Sequence, residues 1–348
     1  MKDEALVKLH FTVAADGSGE YTTIQAAVDA IPPNLSERAM IRVRSGEYRE
    51  KLFIDGKKLS LIGEGAEKTV IRWDDYALKA FLDGELYNTF HSYTAFIGGD
   101  DFIAEGLSFV NAAGPGHKVG QAVAAYVDGD RAVFRRCRFI ASQDTLFTGP
   151  LPLYPIDRPT FGGPREGLPR RASRQYYEDC YMEGDVDFIF GSATAVFHRC
   201  EIFSRRRLTE GDGGQSVEAP ETSVHGWLTA ASTPEEAANG YVFLSCRLTG
   251  DAPPQSVFLG RPWREHAHTA FVDCWMGAHI RAEGWDDWNK PDVERTVRYM
   301  EHGSSGPGAV TGSPGMRVGW SRRLTEGKAA ALTPASVLSG EDGWNPVE

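Results

Sequence analysis

AVFRRCRFI, residues 132–140, is repeated in outline by QYYEDCYME at 175–183, AVFHRCEIF at 195–203, YVFLSCRLT at 241–249 and AFVDCWMGA at 270–278. Each segment runs from an aromatic or aliphatic pair through two mostly polar residues to a cysteine, a variable residue and an apolar one. DFIAEGLSFVNA, residues 101–112, has the same shape, with Gly106 expected at the cysteine position. The shortest interval, Cys180 to Cys200, is close to one turn of a solenoid. The longer intervals read as turns carrying insertions. Short β-rich repeats with a small residue at one inward site predict an all-β parallel β-helix, whose stacked rungs bury like residues on like.

The cysteines themselves argue for packing. No Cys-X-X-Cys occurs, no His-Cys cluster has ligand spacing, and an odd count gives no complete disulfide framework. A column of small buried side chains is the expected role of Cys137, Cys180, Cys200, Cys246 and Cys274. In an oxidising compartment Cys180 and Cys200 could be bonded across adjacent turns.

Outward from the repeat, both ends read as caps. Thr22-Thr23-Ile24-Gln25 resembles a capping box, Ile24, Ala27, Val28 and Ile31 follow at helical spacing, and Pro32-Pro33 stops the helix. Such a helix would cover the first rung's open edges. LTEGKAAALTPASVL, residues 324–338, is helix-prone and is expected to cover the other end. One domain over residues 1–348 is expected, with long loops inserted at 148–174 and 204–226 near a cleft. The first holds six prolines and four glycines together with Arg165, Arg170, Arg171 and Arg174, and is expected to form a cleft wall.

The chain's 38 glycines, 41% hydrophobic and 24% charged residues suit a turn-rich globular protein. Its net charge of −11 disfavours nucleic acid and anionic membrane surfaces as partners. An anionic sugar polymer stays open, because a local basic patch can sit on an acidic protein. No apolar run is long enough to span a bilayer. Met1 to Leu6 lack the basic and apolar regions of a signal peptide. The expectation is a cytoplasmic protein, or a secreted one whose leader has been removed.

Polar residues interrupt strand-like sequence in four blocks: Gly120–Ala124, Ser142–Leu146, Asp185–Gly191 and Leu259–Trp263. On successive rungs, Gln121, Gln143, Asp144 and Asp187 could meet in one patch. Such a patch has a use. One aspartate can attack an activated carbonyl. A second, held protonated, can release an alcohol and then deprotonate water. Neighbouring carboxylates push their pKa values apart. Glutamine amides can bind a developing oxyanion, an arginine can hold one carboxylate ionised, and a tryptophan face can pack on a sugar ring. Each residue alone reads more often as a turn, a ladder or plain packing.

In this order the blocks resemble the pectin methylesterase (pectinesterase) family. Gly46–Glu50 is similar to its G-x-Y-x-E, Gln121–Ala124 to Q-A-V-A, Gln143–Leu146 to Q-D-T-L, Asp187–Gly191 to D-F-I-F-G, and Leu259–Trp263 to L-G-R-P-W. AADGSGEYTTIQAAVDAIP at 14–32, GWSRRLTEG at 319–327 and GEDGWNP at 340–346 extend the likeness over nearly the whole chain. The resemblance implies a right-handed, single-stranded parallel β-helix of the pectin-lyase-like kind. It also implies hydrolysis of C6 methyl esters on polygalacturonate or methylated oligogalacturonides. By position, Asp187 would be the nucleophile and Asp144 the acid and base. Gln121 and Gln143 would form the oxyanion hole, and Arg261 would hold Asp187. Trp263, Phe190 and Thr89 would contact substrate, while Tyr48 and Glu50 would be structural. No metal or other cofactor is implied, and a monomer is expected. Ala125-Tyr126 stands where the family often has a leucine–arginine pair, and the Pro-rich insertion lengthens the stretch from Asp144 to Asp187.

Three other readings compete with this one. The N-T-D and G-H-G blocks of a polygalacturonase are absent, and no carboxylate cluster suggests a lyase's calcium. An esterase or thioesterase that lost pectin as substrate would keep the same machinery. A non-catalytic carbohydrate-binding β-helix would not need both aspartates, both glutamines and the arginine.

Overall fold

In the computed structural model, which describes residues 9–156, 158–310 and 316–347, parallel strands coil into a β-helix. Three parallel sheets of eleven, eight and seven strands form its faces. One rung uses Ala132–Arg135, Arg138–Ile140 and Leu146–Thr148; the next uses Arg174–Glu178, Tyr181–Gly184 and Val186–Gly191. The N-terminal residues Met1 to Leu6, read above for a leader, lie outside the described residues. Among the described residues no helix is long and apolar enough to cross a membrane.

The repeat is a stack. Phe134, Tyr177, Phe197, Phe243 and Phe271 follow one another in register through the largest sheet. Their rings lie 4.5–5.0 Å apart and within 14° of parallel. That spacing is close to the separation of adjacent strands, so in-register rings are brought face to face by the ladder itself. The cysteines form a second column. All five thiols are free and buried. From Cys180 onward each Sγ lies 3.2–3.6 Å from the carbonyl of the stacked aromatic residue one rung back. Burial pushes the thiols of Cys137, Cys180, Cys200 and Cys246 well up, which keeps them unreactive.

One register expectation is corrected. Ala104 pairs with Phe134 and Ser108 with Arg138, so Leu107, not Gly106, occupies the cysteine column. Gly106 is the preceding residue, which joins two sheets in a left-handed conformation at φ +65°. Arg136, Asp179, Arg199, Ser245 and Asp273 do the same on later rungs, at φ +50° to +53°. The bend is a backbone requirement that glycine meets most cheaply.

The N-terminal helix, Ile24–Asp29, buries Ile24, Ala27 and Val28 against the first rung. Its cap differs from the expected box. Thr23 is the N-cap and accepts from Ala26 N, while the Glu50 carboxylate accepts from Ile24 N and Gln25 N at 2.8 and 2.9 Å. A carboxylate on those unpaired amides also opposes the positive helix end. Tyr48 is buried, with its hydroxyl donating to Arg44 O. The C-terminal helices, Glu326–Ala330 and Pro334–Leu338, lie elsewhere than the far end. Ala329, Val337 and Leu338 pack on Val133, Tyr176, Val196 and Val242, along the flank of the largest sheet. Arg174 holds the tail there through Asp342, and Arg135 donates to Pro346 O. At the far end Trp285, Tyr299 and Trp320 continue the aromatic stack.

Among the described residues the segment between Thr148 and Arg174 carries no strand, whereas the one after Ser204 folds into an antiparallel hairpin, Leu208–Glu210 with Ser216–Glu218.

Candidate active site

The seven-stranded sheet carries the predicted residues. Leu146 pairs with Ile189 and Phe147 with Phe190, so Asp144 and Asp187 hold equivalent places on adjacent rungs. Asp144 N donates to Val186 O at 3.0 Å. Both aspartates have positive φ, +61° and +50°. Asp tolerates this region better than most residues, and such conformations gather at functional sites. Pairing with the next strand, Gly226–Ala231, is irregular between Val186 and Ile189, the interval that holds Asp187 and Phe188.

Asp144 and Asp187 are 8% and 6% exposed, yet their surroundings differ. Arg261, one strand further on, grips Asp187 with two bonds: Nε to Oδ1 at 2.8 Å and Nη2 to Oδ2 at 2.6 Å. Burial raises the Asp187 pKa, and Arg261 opposes that rise. Among the described residues Asp144 has no such paired partner. Burial, then the charge of Asp187, pushes its carboxyl well above the usual range. The arrangement favours a proton on Asp144 and a charge on Asp187.

Gln143 precedes Asp144, and Gln121 stands one rung back, where Ala122 N donates to Gln143 O. Among the described residues no protein hydrogen bond occupies either side-chain amide. Gly116, at the start of the short helix Gly116–Val119, closes on Gln143: a Cβ there would come within 2.7 Å of Oε1.

Trp263 packs on Phe90, Phe161 and Phe190, at ring separations of 5.9–6.4 Å. Phe190 and Thr89 are themselves buried. Thr89 takes part through its carbonyl, which accepts from Ser92 N, and its neighbour Phe90 is the residue that enters the aromatic cluster. Phe161 brings the Pro-rich insertion to this cluster. Arg165 anchors that insertion, bonding Asp55, Asp128 and Gly98 O at 2.6–3.1 Å. Arg264 reaches back to Tyr154 O. Ser142 and Asp185, each two residues before one of the aspartates, help line a cavity of about 280 Å³ that also takes in Arg72, Arg205 and Arg206.

Sequence reasoning missed Phe90, Phe161, Trp227 and Trp288. The Arg261 guanidinium lies 3.8 Å from the ring centres of both Trp227 and Trp288. No local motif marks these residues, since the sheet assembles them from separate rungs and loops. Among the described residues no group of three or more His, Cys, Asp or Glu is arranged to hold a metal ion.

The pectinesterase family model matches residues 10–151 and 156–341. The chain belongs to the pectinesterase family. As a member it is a carboxylic ester hydrolase. It is 32% identical to pectinesterase 31 of Arabidopsis thaliana, over 94% of this chain and 92% of that protein. It is also 32% identical to pectinesterase/pectinesterase inhibitor 3 of the same plant, of which it spans about half the length (51%). Among solved structures, a pectin methylesterase in complex with a hexasaccharide superposes with a TM-score of 0.76 at 29% identity, covering 97% of this chain and 98% of the other.

Proposed function

We propose that this protein hydrolyses the C6 methyl esters of methylated polygalacturonate or its oligomers, releasing methanol and leaving pectate. Asp187 attacks the ester carbonyl carbon, and the negative charge passes to the carbonyl oxygen, where the Gln121 and Gln143 amides receive it. The C–OCH3 bond then breaks, methanol departs with the Asp144 proton, and an acid anhydride between the Asp187 carboxyl and the uronate acyl carbon remains. Asp144, now ionised, takes a proton from water as the water attacks the uronate carbonyl of that anhydride. Asp187 is released and Asp144 is protonated again. Arg261 keeps Asp187 ionised and aimed. Trp263 contacts a sugar ring, Phe190 and Thr89 shape the same side, and the 148–174 insertion forms a wall there. The whole chain acts as one domain and as a monomer, with no metal or other cofactor.

The observation that carries this reading is the contrast between the two buried aspartates: Arg261 grips Asp187 with two bonds, while on Asp144 burial and the charge of Asp187 outweigh the more distant charges of Arg261 and Arg158. Family membership and the relative solved with a hexasaccharide support the substrate class. The arginines around the cavity beside Asp185 suit the carboxylates of a uronate chain. The test is methanol release from highly methylated pectin and from methylated oligogalacturonides, with and without chelator. Activity should be unaffected by chelator and abolished in Asp187→Ala, whose circular dichroism matches the parent. No methanol from either substrate overturns the substrate assignment, and near-parental turnover by Asp187→Ala overturns the mechanism.

A further inference from the structure

Arg261 does not meet its carboxylate alone. Its guanidinium carbon is 3.8 Å from the ring centres of both Trp227 and Trp288, and the side chain is only 15% exposed. Trp227 stands on the strand beside Arg261 and is backed by Phe258, whose ring is 12° from parallel at 6.1 Å. Among the described residues the buried Trp227 Nε1–H has no partner, a cost that a ring placed for its face incurs. Trp288 is reached at similar expense. It and Asn289 both have positive φ, +58° and +54°, and a bulky side chain is an outlier in that region. Lys290 Nζ lies 4.6 Å from the same indole and within 3.3 Å of Pro262 O, which ties this loop to the arginine's own strand.

We infer that Trp227 and Trp288 are positioning residues, which clamp the Arg261 guanidinium between their faces and thereby fix the plane in which it grips Asp187. The inference rests on the reading of Asp187 as nucleophile. A guanidinium is weakly hydrated and stacks readily on aromatic faces. Two faces leave its edge as the polar direction, and that edge is turned to the carboxylate. The attraction is stronger away from water. The other titratable groups around Asp187 are Asp144 on the preceding rung, Asp286 and Lys290 from the loop, and the Tyr299 phenol. None of them grips the carboxylate with paired bonds.

The test compares Trp288→Leu and Trp227→Leu with Trp288→Phe and Trp227→Phe in the intact protein. Each Leu variant should lose about tenfold in kcat at unchanged KM, and the acid limb of its pH–rate profile should move up by about one unit. Each Phe variant, which keeps a flat face, should retain most of the activity and the parental limb. A second measurement needs no turnover. By side-chain NMR the Arg261 Nε–H should be protected from exchange in the parent and exchange about tenfold faster in the Leu variants. An unmoved acid limb, a Phe variant as impaired as the Leu variant, a rise in KM at constant kcat, or unchanged Nε–H exchange each overturns the clamp. If the parent releases no methanol, the substrate reading fails, while the exchange measurement still decides whether the tryptophans hold Arg261.

Discussion

Asp144 and Asp187 occupy equivalent places one rung apart, so their backbones contribute little to the difference between them. The difference is Arg261, which reaches only Asp187. The Asp144 pKa is raised by burial and the charge of Asp187, so between the unfolded pKa of about 4 and the higher folded pKa the folded state holds a proton that the unfolded chain has released. That term stabilises the fold fully at low pH and is lost as pH rises through the unfolded and then the folded pKa. Asp144→Asn keeps the shape and tolerates the positive φ, so it should unfold at a higher temperature than the parent at pH 7–8, with the gap closing toward pH 4. The same variant should lose about 10²–10⁴-fold in turnover, because the amide supplies no proton to methanol. Thermal melts across pH, paired with methanol release, check both. A variant no more stable than the parent at pH 8 contradicts the raised pKa. Both aspartates were legible in the sequence through their motifs. Their unequal environments were not, because the arginine's reach depends on how the rungs stack.

At the scale of the element, the rung explains why the repeat is written as it is. Phe197 stacks on Tyr177 at 4.8 Å and Phe243 at 4.5 Å. Phe197→Ala should cost about 3–5 kcal/mol, read as a fall in the denaturant midpoint. The cysteine column makes a chemical prediction. All five thiols are free and buried, so the native protein should not react with a thiol reagent, and all five should react once it is unfolded without reductant. Fewer than five would mean that a pair such as Cys180 and Cys200 is bonded after all. The repeat was readable because side chains of one kind recur at one inward site. The assignment of Gly106 slipped by one residue because the bend before the cysteine is met by Gly, Arg, Asp or Ser, so residue type does not announce it. The helix cap was misplaced for a related reason. Glu50, which caps that helix, comes from the first rung and is distant in sequence.

For the whole molecule, the Pro-rich insertion is held by an ion-pair junction. Arg165 is 13% exposed and bonds Asp128, itself 11% exposed, together with Asp55. Removing one partner of a pair this buried costs about 3–5 kcal/mol, since Asp128 is left uncompensated. Arg165→Ala should therefore release residues 149–173 to cleavage by proteinase K and raise KM more than it lowers kcat, because Phe161 no longer supports Trp263. An insertion as protease-resistant as the parent's would remove Arg165 from this role. The sequence by itself determined the coil of rungs, the inward columns and the identity of the polar blocks, because a solenoid repeats the same local rule each turn and writes it into the chain. Only the tertiary structure decided that the C-terminal helices lie on the flank and that Phe90 and Phe161 meet at Trp263. It alone decided that two tryptophans enclose Arg261. These contacts join residues from different rungs and loops, and an apolar or aromatic side chain states that it will be covered without stating by what.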